Sequence, residues 1–176
     1  MAVVVGFTFN AFSSQGIPVV RTAPVKVTVA DSDIFGDSTE TASPDPASPD
    51  PVPAALPETS GQAVFRVITL EQMMRVVNER RGMILDARTQ AEYAAGHIAG
   101  AVNMYAMEPE GYVGKMAEIS RDTLMIIYCS NPHCPYGRDL AEFLAAFGFS
   151  NMLLYDDGWD GWTAAGLPVV TGEGAR

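Results

Sequence analysis

Residues 124–147, LMIIYCSNPHCPYGRDLAEFLAAF, contain the signals of a strand, a loop and a helix in succession. The apolar run at 124–128 predicts a buried strand. A helix is predicted at 136–147, because apolar side chains recur there at the i, i+3, i+4, i+7 spacing: Leu140, Phe143, Leu144 and Phe147. The loop between them holds Cys129 and Cys134, the only two cysteines of the chain. Backbone N–H groups converge at such a strand-to-helix junction, and they favour the thiolate form of a cysteine.

The same alternation of strands and helices extends over the rest of the sequence from residue 64 onward. Thr69 is predicted to begin a helix, with Gln72 as its capping-box partner. Several strands are continuously apolar, which is typical of a parallel sheet covered on both faces. Such sheets bind ligands at the carboxyl ends of their strands, where Asp86 and Cys129 lie. Strands are predicted at 64–68, 83–85, 101–104, 123–129 and 152–155, and further helices at 92–95, 113–119 and 158–165.

Composition divides the chain into four parts. Residues 1–36 are a hydrophobic N-terminal stub followed by an extended segment, and residues 173–176 are a short tail. Residues 37–62 hold six of the twelve prolines and several acidic side chains, so we expect an acidic, disordered linker. Residues 63–172 are predicted to form the folded domain.

The charge and the N-terminal residues bear on partners and location. The net charge of −10 argues against nucleic acid or an anionic membrane surface as a partner. Residues 2–12 are mostly apolar, but this run is shorter than the roughly 20 residues that span a bilayer. It is either the end of a membrane anchor, or a hydrophobic strand or disordered tail that packs loosely. A membrane-associated or cell-envelope location is slightly favoured over a cytoplasmic one.

Four segments carry a family resemblance: LDARTQAEYAAGHIAGAVN (85–103), IIYCSNPHCPYGRDLAEFLAAFGF (126–149), YDDGWDGW (155–162) and AAGLPV (164–169). Together they resemble a rhodanese-like domain over roughly residues 64–171. The stub and the two loop cysteines are similar to membrane-tethered bacterial members of that family. The resemblance implies an α/β fold with about five mainly parallel strands and helices on both faces. It also implies sulfur transfer without a cofactor: a cysteine thiolate takes the outer sulfur of a donor, holds it as a persulfide and passes it to an acceptor.

The resemblance assigns roles to individual residues. Cys129 occupies the position of the nucleophile. Cys134 either resolves or receives the Cys129 persulfide, or is a neutral replacement for a loop residue. The resemblance implies that the sulfur-binding loop comprises Ser130, Asn131, Pro132, His133, Pro135, Tyr136, Gly137 and Arg138, and that structural support comes from Asp86, Arg88, Glu92 and His97.

The sulfur donor stays open at this stage, and one alternative function remains. Only His133 and Arg138 supply basic groups near Cys129, and Asp157 adds a carboxylate, so no donor is assigned. The expected partners are a small sulfur donor and a thiol or protein acceptor, and the chain is expected to be a monomer. The alternative is a non-catalytic or redox-sensing module that uses a Cys129–Cys134 dithiol/disulfide.

Two further chemistries rank below these. Phosphatase chemistry ranks last among the functions, since Arg138 follows Cys129 too late to cradle a tetrahedral oxyanion. A metal site at Cys129, His133 and Cys134 lacks a fourth ligand, so no metal is expected.

Overall fold

A six-stranded, fully parallel sheet organises the domain. The structure is a computed structural model that describes residues 25–36 and 64–172. The apolar start of the stub, the whole predicted linker and the tail lie outside the described residues. The strands are β1 Val25–Thr28, β2 Val64–Ile68, β3 Met83–Asp86, β4 His97–Ile98, β5 Ala101–Asn103, β6 Met125–Tyr128, β7 Met152–Tyr155 and β8 Val169–Val170. The strand order in the six-stranded sheet is β1-β2-β7-β6-β3-β5.

Helices cover both faces of the sheet, as the alternating pattern predicts. The helices are α1 Asp31–Phe35, α2 Leu70–Glu79, α3 Gln90–Ala95, α4 Val113–Ala117, α5 Tyr136–Ala146 and α6 Gly158–Ala164, with a 3-10 turn at Pro109–Tyr112. On one face Met73 and Trp162 pack on Ile126, and on the other Met116 and Leu140 pack with Ile127. The predicted capping box is present at the start of α2, where the Thr69 side chain accepts from the Gln72 N–H.

The sheet has one more strand than the family resemblance implies. Composition places residues 25–36 in the segment before the domain, but β1 pairs with β2 and α1 packs on the same face as α2. Val29, Ile34 and Phe35 are buried there. Residues 25–29 do alternate between apolar and polar side chains, but β1 has only four residues, all of them exposed, and α1 has only five, so both elements are too short to be predicted from periodicity.

The segment 96–100 also differs from its prediction as a loop. His97 and Ile98 form β4, which pairs antiparallel with β8. Two-residue strands are too short to show a period, so only the tertiary structure reveals them. Within 25–36 and 64–172, no helix has the length and apolar character that crossing a bilayer requires.

Candidate active site

Cys129 and Cys134 form a disulfide at the carboxyl edge of the sheet. Cys129 directly follows β6 and is only 5% exposed, whereas Cys134 is partly exposed. Their Cα atoms are 6.2 Å apart. The turn between them is held by Asn131, whose carbonyl accepts from the Cys134 N–H (3.0 Å) and whose side-chain oxygen accepts from the His133 N–H (3.0 Å). The turn therefore folds Cys134 back onto Cys129.

The start of α6 holds the backbone of the cysteine loop. The Trp159 N–H donates to the Cys129 carbonyl and the Asp160 N–H donates to the Ser130 carbonyl, and both donor–acceptor distances are 2.8 Å. This approach requires Gly158, which has a φ of +62°. A Cβ at that position would overlap the Cys129 carbonyl oxygen and lie 2.9 Å from the Ser130 carbonyl carbon. The loop is thus fixed by backbone contacts that no larger residue permits.

The start of α5 lies against Cys129 from the other side. Gly137 is buried, and a Cβ there would be 3.8 Å from the Cys129 Cβ. The amino end of a helix carries partial positive charge and unpaired N–H groups. This position therefore favours a Cys129 thiolate when the disulfide is open.

A cavity of about 20 Å³ is lined by both cysteines. This is room for about one water molecule. Its charged lining residues are Arg138 and Asp156, and Asp156 forms an ion pair with Lys26 of β1. Asn131 and Gly137 also line the cavity. Three of the predicted loop residues therefore reach the site: Asn131, Gly137 and Arg138. The other cavity-lining residues belong to β6 and β7: Ile127, Tyr128, Leu154 and Tyr155.

A buried ion-pair network lies next to this site. Asp86 pairs with Arg88 (2.6 Å) and accepts a hydrogen bond from the Tyr128 hydroxyl (2.6 Å). Arg88 also donates to the Gly96 carbonyl (2.8 Å), and its guanidinium lies 4.4 Å from the centroid of the Trp159 ring. Burial and the neighbouring carboxylate hold the pKa of Tyr128 far above its usual range. The network therefore ties the residue before Cys129 to the helix that holds the loop.

Glu92 and His97 lie away from the cavity. Glu92 completes a capping box with Thr89 at the start of α3. His97 is 1% exposed, its Nδ1 is 2.9 Å from the Tyr93 carbonyl oxygen, and its ring stacks on the Tyr93 ring at 3.8 Å. Both side chains serve local structure in these contacts.

Several predicted loop residues point elsewhere. Pro132, His133 and Pro135 are exposed, and Tyr136 packs edge-on against Tyr105 with ring centroids 5.8 Å apart. None of these four lines the cavity, nor does Ser130. Within the described ranges no three His, Cys, Asp or Glu side chains are grouped as metal ligands.

Sequence reasoning missed the pair of Asp156 and Lys26. Asp156 directly follows β7, so the rule that singled out Asp86 and Cys129 would also have found it. No signal in the sequence links Lys26 to a site 130 residues away. Tyr128 was treated only as part of an apolar strand.

Comparison with known proteins identifies the family. Residues 69–165, more than half of the chain, match the family model described as Rhodanese-like domain. The chain belongs to the rhodanese-like family. The proposed resemblance and fold are therefore confirmed, and the family includes proteins named as sulfurtransferases.

Rhodanese-like relatives resemble this chain over the folded domain. The uncharacterized protein YibN of Escherichia coli strain K12 is 27% identical over 109 residues, which are 61% of this chain and 74% of that protein. The thiosulfate sulfurtransferase GlpE of Pseudomonas putida strain GB-1 is 28% identical over 111 residues, 63% of this chain and 96% of that protein.

Solved structures extend the similarity to the fold. The BH2092 protein of Bacillus halodurans has a TM-score of 0.55 at 19% identity, over 61% of this chain and 78% of that one, and this likeness concerns the fold alone. The thiosulfate sulfurtransferase of Pseudomonas aeruginosa has a TM-score of 0.51 at 25% identity, over 62% of this chain and 21% of that one.

Proposed function

We propose that the protein is a sulfurtransferase that carries sulfane sulfur as a persulfide on Cys129. The observation that carries this proposal is the position of Cys129, between the end of β6 and the start of α5, beside a second cysteine. A thiolate there attacks the outer sulfur of a donor, and the donor's remaining part leaves with the bonding electrons. The helix start stabilises the negative charge of both the thiolate and the persulfide.

Cys134 is proposed to discharge this persulfide. With the Cα atoms 6.2 Å apart, its sulfur reaches Cys129 without rearrangement of the backbone. A Cys134 thiolate that attacks the inner sulfur forms the disulfide and releases hydrosulfide. A thiolate that attacks the outer sulfur takes over the persulfide and leaves Cys129 as a thiolate. The proposed partners are accordingly a small sulfur donor and a thiol or protein acceptor.

Intact mass spectrometry of the reduced protein tests the proposal. The protein is incubated with thiosulfate, 3-mercaptopyruvate, polysulfide or glutathione persulfide, and we expect one added sulfur with at least one donor. Cys129→Ser should abolish the gain. Cys134→Ser should keep the sulfur on Cys129 for longer, because the resolving thiol is missing. The absence of any adduct with all four donors would refute the proposal.

A redox-sensing module is the second candidate, and the Cys129–Cys134 disulfide favours it. In this case the dithiol closes under mild oxidant and changes how the loop meets a partner. Titration of the dithiol against glutathione redox buffers measures its reduction potential. A pair that stays open throughout the oxidising half of that series rules the candidate out.

A further inference from the structure

We infer that the oxidised site has an activity of its own: the Cys129–Cys134 disulfide takes up hydrosulfide and converts it into a protein persulfide. This inference rests on the proposed function only in using the same two cysteines. It concerns the closed form of the site, whereas the proposed transfer from a sulfane donor begins with the open dithiol. The observations behind it are the size of the cavity, its charge and the unequal exposure of the two cysteine residues.

The size of the cavity limits what approaches the disulfide through it. At about 20 Å³ the cavity holds about one water-sized molecule next to the two cysteines. Hydrosulfide, with a single heavy atom, is close to this size. Thiosulfate and thiol substrates contain several heavy atoms and exceed this volume, so the cavity itself favours the smallest nucleophile.

The charges around the cavity suit a singly charged anion. Arg138 lines it, and the carboxylate of Asp156 is already paired with Lys26, so one net positive charge results. Asp157 and Asp160 lie outside the lining at the start of α6, where Asp160 accepts a hydrogen bond from Asn131 (3.0 Å). These two carboxylates disfavour an approaching dianion more than a monoanion, because Coulomb repulsion scales with charge.

The unequal exposure of the two cysteine residues favours one direction of attack. Cys134 is the more exposed cysteine, so the hydrosulfide sulfur bonds to the Cys134 Sγ. The Sγ–Sγ bond breaks, and Cys129 leaves as a thiolate beside the start of α5, which stabilises it. One sulfur–sulfur bond is exchanged for another, so no further oxidant is needed. The proton of hydrosulfide remains on the new Cys134 persulfide or passes to solvent.

Mass spectrometry of the oxidised full-length chain tests this inference. The protein is mixed with sodium sulfide without oxygen, quenched with iodoacetamide at successive times, and measured intact. We expect an early species that carries one sulfur more than the alkylated dithiol, with fragment ions that place it on Cys134. A disulfide that opens without retaining sulfur at any time, or that resists sulfide while ordinary thiols reduce it, overturns the inference.

Two controls separate this reaction from the proposed transfer. Reduced protein mixed with the same sulfide must gain no sulfur, because it holds no disulfide; a gain there would reveal polysulfide contamination as the source and would overturn the assignment. The reduced protein with sulfane donors tests the proposed function independently. Uptake by the oxidised protein alone would contradict the proposed transfer from sulfane donors, and uptake by the reduced protein alone would contradict the reaction with hydrosulfide.

A series of charge variants tests the role of the cavity lining. Arg138→Met and Lys26→Met each remove one positive charge, and we expect severalfold slower uptake in both. Asp156→Asn removes a negative charge and should accelerate uptake. Arg81→Met is the matched control, since Arg81 pairs with Glu79 just before the amino end of β3, at the opposite edge of the sheet. Equal rates in all four variants would show that the lining does not select the anion.

Discussion

Two buried tyrosines illustrate, at the scale of single residues, how the environment decides what a hydroxyl contributes. The Tyr128 hydroxyl donates to Asp86 (2.6 Å) and accepts from the Ile98 N–H (3.2 Å). The Tyr155 hydroxyl is equally buried, yet it has no hydrogen-bond partner among the described residues. Their replacement by phenylalanine removes the same atom from two different settings.

We predict that Tyr128→Phe lowers the free energy of unfolding by about 1–3 kcal/mol, because the buried Asp86 carboxylate and the Ile98 N–H each lose a partner. Tyr155→Phe is the matched control. It removes an unsatisfied polar atom, so it should be neutral or stabilising. Urea denaturation of both variants measures the difference, and equal losses would contradict the role given to the Tyr128 hydrogen bonds.

Tyr155 also predicts an alkaline loss of stability. Burial, with a further effect of Asp157, raises the pKa of Tyr155 from 10.0 to about 12. Between about pH 10 and pH 12 the unfolded chain therefore loses this proton while the folded chain keeps it, and the free energy of unfolding falls as the pH rises. Below that window the group has no effect on the pH dependence.

Thermal unfolding of wild type and Tyr155→Phe across this pH range checks the prediction. The variant lacks the titrating hydroxyl, so its melting temperature should fall less steeply above pH 10. Parallel curves for the two proteins would show that Tyr155 titrates alike in both states.

At the scale of elements, the cysteine loop depends on how closely α6 approaches it. Trp159 and Asp160 donate to the carbonyls of Cys129 and Ser130, and only a glycine at position 158 leaves room for this contact. The loop conformation is therefore a property of the packing between β6 and α6. The loop sequence alone does not specify it.

We predict that Gly158→Ala destabilises the domain more than Gly166→Ala. Both glycines have a positive φ, of +62° and +68°, so both substitutions carry a backbone cost of about 1–2 kcal/mol. Gly166 has open space around it, whereas a Cβ at Gly158 meets the backbone of the cysteine loop. Denaturation curves measure the difference, and the rate of Cys129 alkylation in the reduced protein should change only in Gly158→Ala. Equal effects in the two variants would contradict the close approach.

At the scale of the whole molecule, residues 25–36 are an integral part of the domain. They add β1 to the sheet, bury Phe35 beneath α2, and bring Lys26 to the cavity. Gln72 joins the two parts, since its side chain donates to the Val29 carbonyl (2.9 Å) and to Asp31 (2.6 Å). The folded unit therefore begins well before the 69–165 segment that matches the family.

We predict that Phe35→Ala costs about 3–5 kcal/mol of stability, as expected for a buried aromatic side chain. Phe35 is 8% exposed and its ring lies 3.6 Å from the Arg75 guanidinium. Phe147→Ala is the control. Because Phe147 is 38% exposed, its replacement should lower the stability clearly less. Guanidinium denaturation compares them. A loss at Phe35 no greater than at Phe147 would show that α1 does not belong to the cooperative unit.

The long elements could be predicted from the sequence, because each has a local cause. The apolar run before Cys129 and the helical spacing after Cys134 predicted β6 and α5 to within two or three residues. Thr69 and Gln72 predicted the start of α2 through their capping box. The short pair β4 and β8 has no such signal, because two residues are too few to show a period.

The site was only partly predictable, because only some of its residues have a local signal in the sequence. Strand ends pointed to Cys129 and Asp86, and the spacing of the cysteines allowed a disulfide. Asp156 followed the same rule and was overlooked, while the contribution of Lys26 depends on the pairing of strands far apart in sequence.

The sequence by itself determined the α/β architecture, the family and the two cysteines at the edge of the sheet, since these depend on periodicity and on adjacent residues. Only the tertiary structure decided the composition of the cavity, where Arg138, Asp156 and Lys26 meet beside the disulfide. The physical reason is that local patterns report which face of an element is apolar. They carry no information on which distant side chains the packing brings together.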